Sequence, residues 1–291
     1  EIAQCLVGSE MCIRDRRRQA TMMKAILIAF STYSKIPMPH FKWDPKALQY
    51  SMCAFPLVGA VIGAGEFAIW YLFGFLLQWS EVFTAALLTV FPILITGGIH
   101  MDGFLDTVDA KSSYKSKEEK LQILKDPHTG AFAIIRGCLY FLIYFGCMAE
   151  VVHALNREIQ SGTQSGAPAH AMRLMGVFAA GFVLERALSG LSVLTFQKAK
   201  KEGMLADTAR LVNNRSKVIM FVWLIACIAA GCVIQPVAAL VVAGIAILMF
   251  FYYRFMSYRT FGGITGDLAG YFLQMCELWM LIGTVVLVHV I

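Results

Sequence analysis

Three aspartates, Asp102, Asp106 and Asp109, have the residue type and the spacing that metal chemistry needs. If their segment is helical, the i, i+4, i+7 spacing places all three carboxylates on one stripe of the helix. Three like charges so close repel one another unless a cation lies between them. Carboxylate oxygens without thiolates suit a hard ion such as Mg²⁺, which commonly bridges to substrate phosphates. We therefore predict that Asp102, Asp106 and Asp109 bind Mg²⁺ and act in catalysis.

The competing interpretation of this acidic stripe is a solvated helix face. The stripe directly follows a predicted membrane span, where acidic groups are costly and usually functional, and this favours metal binding. His100 stands two residues before Asp102. It is a candidate for contact with a substrate phosphate, and packing near the lipid headgroups is an equally good interpretation.

A second polar cluster contains Lys125, Asp126 and Gly130, and Arg136 follows about two turns into the next predicted helix. Asp126 is a candidate ligand of a metal or of its water. Gly130 permits close approach of the backbone, and the start of a helix favours anions. The alternative is an ordinary loop-to-helix junction with Asp126 as the cap. We keep all four residues as candidates for substrate binding.

Two further features lie towards the C-terminus. Arg186 follows Glu185 inside an apolar segment, where its planar fork suits phosphate, although a structural ion pair explains it too. Gly263, Thr265 and Asp267 belong to a glycine-rich loop that can wrap a phosphate or a ribose, or that is simply a tight turn with a capping Asp.

The elements that position these residues are membrane helices. Hydrophobic residues make up 58% of the 291 residues and charged residues only 15%, which is outside the balance of a soluble domain. The alternating pattern of a barrel strand is missing, so an all-α polytopic helical bundle remains. Its seven predicted transmembrane helices cover about residues 53–78, 82–101, 131–152, 171–196, 218–234, 236–253 and 268–290.

The N-terminal part of the chain divides into two pieces. Residues 1–21 lack a signal-peptide core and precede Met22 and Met23, so we interpret them as a non-native leader. Residues 22–291 then form a single integral membrane domain. Its first segment, from Lys24 to Tyr50, is too short to cross and is broken by prolines, which predicts an interfacial or re-entrant piece.

Lysines and arginines concentrate in three predicted loops, near 110–130, 197–217 and 254–267. Short cytoplasmic loops are enriched in these residues, so all three are predicted to face the cytoplasm and the C-terminus to lie outside. The polar clusters border the same loops, which predicts a cell-membrane protein whose active site faces the cytoplasm. The net charge of +6 is explained by this topology, and no basic, aromatic-interleaved face indicates nucleic acid.

The blocks GGIHMDGFLDTVDA, KDPHTGAFAIIRG and GGITGDLAGYFLQMCEL, in this order, resemble the cobalamin synthase family, the adenosylcobinamide-GDP ribazoletransferases. The resemblance runs from about Ile26 to the C-terminus. It implies a transferase of late cobalamin biosynthesis that joins adenosylcobinamide-GDP to α-ribazole or α-ribazole 5′-phosphate. The products would be adenosylcobalamin or its 5′-phosphate and GMP, with Mg²⁺ as cofactor. Lipid would be the surrounding partner, and a homo-oligomer is compatible with the sequence.

Carried over to this sequence, the family pattern assigns Asp102, Asp106, Asp109 and Asp267 to catalysis. It adds Gly263, Thr265 and Glu277 to the substrate-binding candidates already named. Two other classes stay open. An alcohol phosphatidyltransferase also uses Mg²⁺ and acidic clusters, but its expected DG-x2-AR block is DGFLD here. A cation transporter or channel would use the acidic stripe as an ion path, although its position at one membrane edge argues against this.

Overall fold

The computed structural model describes residues 19–40, 42–161, 166–200, 205, 210 and 214–290. Within these ranges the chain forms helices and no strand; one isolated β-bridge joins Lys198 to Ile264. The predicted all-α bundle is therefore confirmed. Residues 19–33 form helix α1. The helices after it are α2 (Pro45–Ile69, continued as a π-helix over Trp70–Leu76), α3 (Glu81–Thr96), α4 (Ile99–Ser112), α5 (Lys117–Ile123), α6 (Ala131–Ser161), α7 (Ala167–Thr195), α8 (Asn214–Ile234), α9 (Pro236–Phe261) and α10 (Gly266–Val290).

Among the described residues, six unbroken helices are long and apolar enough to cross a membrane, and α3 with α4 qualifies as a seventh only as a pair bent by 93°. The predicted span over 82–101 is thus wrong beyond Thr96. Gly97 and Gly98 adopt φ of 65° and 78°, left-handed values that end a helix and that favour glycine. Because α4 turns away from α3, it lies beyond the crossing part of the pair.

The N-terminal segment agrees with a piece too short to cross. Helix α1 buries Ala25, Ile28 and Ala29 and is not among the candidate spans. The backbone N–H of Lys35 then donates to the carbonyl of Ile95, 2.7 Å away, which ties the segment to the end of α3. Most of the predicted leader, residues 1–18, lies outside the described residues, and residues 19–21 belong to α1.

The first span begins at Pro45, eight residues before the predicted start at 53. Asp44 caps this helix, because its side chain accepts a hydrogen bond from the N–H of Lys46, and Pro45 suits the first helical position. Pattern alone missed this start because the first turns of α2 are polar.

Helix α7 is the centre of the bundle. Gly59 and Gly63 of α2 face its backbone so closely that an added Cβ would lie 2.2 Å from the carbonyl oxygens of Phe182 and Ala179. In lipid the hydrophobic effect does not drive helices together, and close packing at small residues stabilises their association instead. Helices α6, α8 and α9 instead expose large apolar side chains, such as Leu142, Ile225 and Leu248. These side chains form a lipid-facing surface.

Candidate active site

The acidic stripe lies on helix α4 as predicted. Asp102 is exposed, while Asp106 and Asp109 are partly buried. Burial and, after it, the charges of Asp102, Asp267 and Asp109 together raise the pKa of Asp106 to about 6. Four carboxylates, one of them distant in sequence by more than a hundred residues, therefore share one electrostatic environment.

Asp267 reaches the stripe because α4 and α10 approach at glycines. A Cβ on Gly103 would lie 2.8 Å from the backbone oxygen of Asp267, and a Cβ on Gly270 would lie 2.8 Å from that of His100. Larger residues at either glycine would hold the two backbones apart. The sequence prediction that the C-terminal loop meets the stripe in space is consistent with this packing.

The N-cap of α10 is Thr265 rather than Asp267. The Thr265 hydroxyl accepts a hydrogen bond from the N–H of Leu268 at 3.2 Å and donates to the Asp267 carboxylate at 3.3 Å. The capping alternative raised from the sequence thus applies to Thr265, which is buried. The Asp267 carboxylate stays available to the site.

Gly130, at the start of α6, stands directly against Asp109. A Cβ at this position would lie 2.2 Å from the Asp109 Oδ1 atom. The predicted need for glycine here is therefore explained by a side chain of the stripe.

Basic side chains border the carboxylates. Burial lowers the pKa of Lys200, while the charge of Asp267 raises it and that of Lys125 lowers it. Lys200, which was not among the predicted site residues, therefore lies near both Asp267 and the predicted site residue Lys125. Burial also lowers the pKa of the neighbouring Lys198 to about 8. The run of lysines at 198–201 was the available signal, but it was used only for topology.

A cavity of about 190 Å³ opens beside Asp102 and Asp267. Its wall includes Tyr33, Phe55 and His100, whose rings lie 4.5 Å (Tyr33 to Phe55) and 5.9 Å (Phe55 to His100) apart between centroids. The Nε2 atom of His100 is buried and has no hydrogen-bond partner among the described residues. The cavity combines an aromatic wall with the unpaired Nε2 atom of His100, next to the carboxylates.

Arg186 and Glu277 do not line this cavity. Both are buried in the bundle, where Arg186 Nη2 donates to Glu277 Oε1 at 3.3 Å and Nη1 pairs with Glu185. Both side chains therefore belong to an interhelical ion-pair network between α7 and α10, the structural alternative named from the sequence. The Phe55 ring, 6.0 Å from the Arg186 guanidinium, separates the network from the cavity.

Three other predicted residues also lie away from the carboxylates. Arg136 lines a separate cavity with Phe104 and Val108 on the other face of α4. Gly263 packs against the 197–199 backbone, since an added Cβ would lie 2.6 Å from the Ala199 nitrogen. Asp126 is exposed and accepts hydrogen bonds from the backbone and ring nitrogens of His128, as a turn residue does.

The donor set fits magnesium held partly through water. In the described part of the chain, no three His, Cys, Asp or Glu side chains stand close enough to form a ready metal cage. Mg²⁺ seldom needs one, because it keeps several waters and takes one or two carboxylates plus substrate phosphates. Burial and the neighbouring carboxylate charges raise the pKa of Asp106. Carboxylate oxygens that repel one another in this way are suitable ligands for a hard cation.

Fold and site together define a polytopic helical membrane protein with a cluster of carboxylates at one end of its bundle. The family model described as cobalamin-5-phosphate synthase matches residues 25–285. The chain belongs to that family.

Three relatives that share one name match most of the chain. A protein of Lachnoclostridium phytofermentans named adenosylcobinamide-GDP ribazoletransferase is 45% identical over 257 residues, which cover 88% of this chain and 91% of the relative. Proteins of the same name from Clostridium botulinum (strain Alaska E43) and Clostridium perfringens (strain ATCC 13124) are 30% and 33% identical, covering 88% and 87% of this chain and 95% and 94% of their own. No solved structure matches the chain.

Proposed function

We propose that this chain is an adenosylcobinamide-GDP ribazoletransferase. It joins adenosylcobinamide-GDP to α-ribazole or α-ribazole 5′-phosphate, giving adenosylcobalamin or its 5′-phosphate and releasing GMP. The observation that carries the proposal is the meeting of Asp267 with Asp102, Asp106 and Asp109 at one end of the bundle. Relatives of that name, 45%, 30% and 33% identical, support the choice of substrates.

The reaction is a substitution at phosphorus. A bond forms between a ribose hydroxyl oxygen of the ribazole and the corrinoid-side phosphorus of the diphosphate. The bond from that phosphorus to the bridging oxygen breaks, and the oxygen leaves with GMP. The hydroxyl proton passes to a carboxylate of the cluster.

Asp102, Asp106 and Asp109 are the residues that would hold magnesium. When bound, Mg²⁺ supplies neutralisation of the diphosphate charge, the main requirement of phosphoryl transfer. Lys200, near Asp267, and Lys125, near Lys200, would help to neutralise the charge of the departing GMP. The chain's own contribution is thus to position two anionic partners in line.

The cavity beside Asp102 would hold the benzimidazole of the ribazole. A volume of about 190 Å³ is too small for a corrinoid but admits a flat bicyclic ring against Tyr33 and Phe55. The unpaired Nε2 atom of His100 would bond to the ring nitrogen of that base. The corrinoid and guanosine ends must then lie over the open rim.

The site would face the cytoplasm of the cell membrane. The basic loops at 111–125, 197–200 and 254–259 lie at the same end as the carboxylates: Lys198 pairs with Ile264, and the Lys117 ammonium donates to the Tyr258 carbonyl at 3.5 Å. Basic loops remain on the cytoplasmic side of a membrane. The surrounding lipid is the constant partner; a homo-oligomer stays a prediction.

A direct assay tests the proposal. The purified protein in nanodiscs receives adenosylcobinamide-GDP, α-ribazole 5′-phosphate and Mg²⁺, and mass spectrometry follows adenosylcobalamin 5′-phosphate and GMP. Equal amounts of both products, abolished by a chelator and restored by Mg²⁺, are expected. Formation of a phosphatidyl alcohol from a CDP-activated lipid instead, or ion flux without either product, would select one of the alternative classes.

A further inference from the structure

A second cavity lies behind the acidic stripe, on the opposite face of α4. Its volume is about 650 Å³. Because residues three and four apart share a helix face, Phe104, Val108 and Lys111 point into it, while the aspartates point away. The lining also includes Lys115, Lys120, Arg136, Ser112, Ser113, Tyr114, Tyr271 and Met275.

The charge of this cavity is of one sign. Four cationic side chains line it and none of its described lining residues is acidic. Within the described ranges, Lys111, Lys120 and Arg136 form no ion pair with a carboxylate. Lys115, in contrast, has an acidic neighbour. Hydrogen bonds from Ser116 lower the pKa of Glu119 most, and the charge of Lys115 lowers it further.

Lys111 is held in place at the wall. Its ammonium donates to the hydroxyls of Tyr252, at 2.8 Å, and Tyr271, at 3.3 Å, and lies 5.4 and 5.3 Å from the two ring centroids. Two tyrosines from different helices thus hold the Lys111 ammonium in a fixed position at the cavity wall. A surface lysine that serves solubility alone has no such support.

The cavity borders the lipid-facing surface. Arg136 on α6 stands between the exposed Ile135 and Leu139, and Tyr252 on α9 stands between the exposed Phe251 and Phe255. Helix α4 lies beyond the 93° bend of the α3–α4 pair. A ligand in this cavity would therefore touch cations and hydroxyls at one end and apolar side chains at the other.

We propose that this cavity binds the phosphate headgroup of an anionic phospholipid. Arg136 offers a planar fork for two phosphate oxygens, and Lys111, Lys115 and Lys120 supply point charges. Phe104, Val108 and Met275 would contact the first carbons of the acyl chains. Basic pockets between helices at a membrane surface are the usual sites of such lipids. The proposal does not depend on the reaction, because the site lies behind α4 and its occupancy is measured without turnover.

Native mass spectrometry of delipidated protein tests this site. The probes are phosphatidylglycerol and phosphatidylcholine, added at equal concentration to the wild type and to the double variant Lys120→Gln/Arg136→Gln. We expect the wild type to prefer phosphatidylglycerol and the variant to lose about tenfold or more of that preference, since each basic residue near the surface contributes substantially to anionic lipid binding. Lys42→Gln/Lys46→Gln, which removes the same charge from exposed positions at the start of α2, should retain the preference.

Two results would overturn the proposal. One is equal retention of both lipids by the wild type, or unchanged preference in the cavity variant. The other is displacement of phosphatidylglycerol by millimolar inorganic phosphate or α-ribazole 5′-phosphate, which would assign the cavity to a soluble phosphate. If the double variant unfolds on purification, Arg136→Gln alone provides the measurement, because that side chain is exposed.

Discussion

At the scale of the residue, the four aspartates form one cluster, in which the negative charges of Asp102, Asp267 and Asp109 act on Asp106. Each of Asp102→Asn, Asp106→Asn, Asp109→Asn and Asp267→Asn should lower turnover by about a hundredfold or more, since metal and proton-transfer contributions are of that order. Folding should be unaffected or slightly improved, because each change removes one negative charge. Product formation and thermal midpoint, measured on the same preparations at limiting Mg²⁺, provide the check. Near wild-type turnover in all four variants would refute the assignment.

The raised pKa of Asp106 gives a second residue-scale prediction. Its folded-state pKa of about 6 exceeds the ordinary value of 3.8, so the protonated form is favoured in the folded protein. The stability this supplies is present at low pH and is lost as pH rises through about 6. In a chelator, the thermal midpoint should therefore fall as the pH rises from about 4 to about 6, and Asp106→Asn should flatten that slope. Added Mg²⁺ should reverse the wild-type loss, whereas an identical slope in Asp106→Asn would contradict the explanation.

Arg186 belongs to the stability of the bundle rather than to the substrate. It is fully buried, pairs with Glu185 and Glu277, and also donates to the Phe182 carbonyl at 3.2 Å. Arg186→Gln would leave carboxylates buried without their cation, a change that costs about 3–5 kcal/mol in comparable networks. Reduced yield and a lowered thermal midpoint are expected. Arg173→Gln, an exposed position on the same helix, is the matched control, and equal stability of the two variants would show that the network is dispensable.

At the scale of the element, the site depends on where helices can approach. Gly130→Ala adds a Cβ that would lie 2.2 Å from the Asp109 carboxylate, so this side chain must move. Turnover should fall at least about tenfold, in the range seen for small misplacements of catalytic groups. Gly176→Ala in α7 has no atom within 4 Å of the new Cβ and should be neutral or stabilising by about 0.5–1 kcal/mol. Equal turnover in both variants would mean that Asp109 need not keep its position.

Elements with a strong local pattern were predictable from the sequence. The Asp102–Asp106–Asp109 spacing is read within one helix, and the apolar stretches of α6 to α10 are long enough to identify a span without any knowledge of their neighbours. The structure contains both the helical aspartate stripe and these apolar helices. Local information is sufficient wherever the element itself carries the signal.

What the sequence could not supply is the relation between elements. The bend depends on the left-handed backbone angles of Gly97 and Gly98. A hydropathy window averages these two glycines with the apolar residues around them and therefore does not detect the bend. Arg186 and Glu277 are 91 residues apart, so their pairing is a property of helix packing. Arg136 has the right charge at a plausible spacing, but the helix rotation places it behind α4.

At the scale of the whole molecule, the two ends of the bundle differ in chemistry. The site end carries the carboxylate cluster and the basic loops. The other end carries His–Glu pairs: His153 with Glu81 at 2.8 Å, and His289 with Glu150 at 3.0 Å. For a bundle polarised in this way, the positive-inside rule predicts the orientation that we propose, with the carboxylate cluster on the cytoplasmic side.

Single cysteines on a cysteine-free background test this orientation. Replacement of Ser113, Gln197 or Arg259 introduces a thiol at the site end, one in each basic loop, and replacement of the exposed Ser80 introduces one at the other end. In intact cells, an impermeant maleimide should label the Ser80→Cys protein and leave Ser113→Cys, Gln197→Cys and Arg259→Cys unlabelled. After permeabilisation all four should react, which excludes burial as the cause of protection. Because the bridge between Lys198 and Ile264 and the Lys117 contact to Tyr258 tie the three loops together, they must behave alike. Labelling of all three in intact cells would invert the orientation, and labelling of only one would contradict the bundle itself.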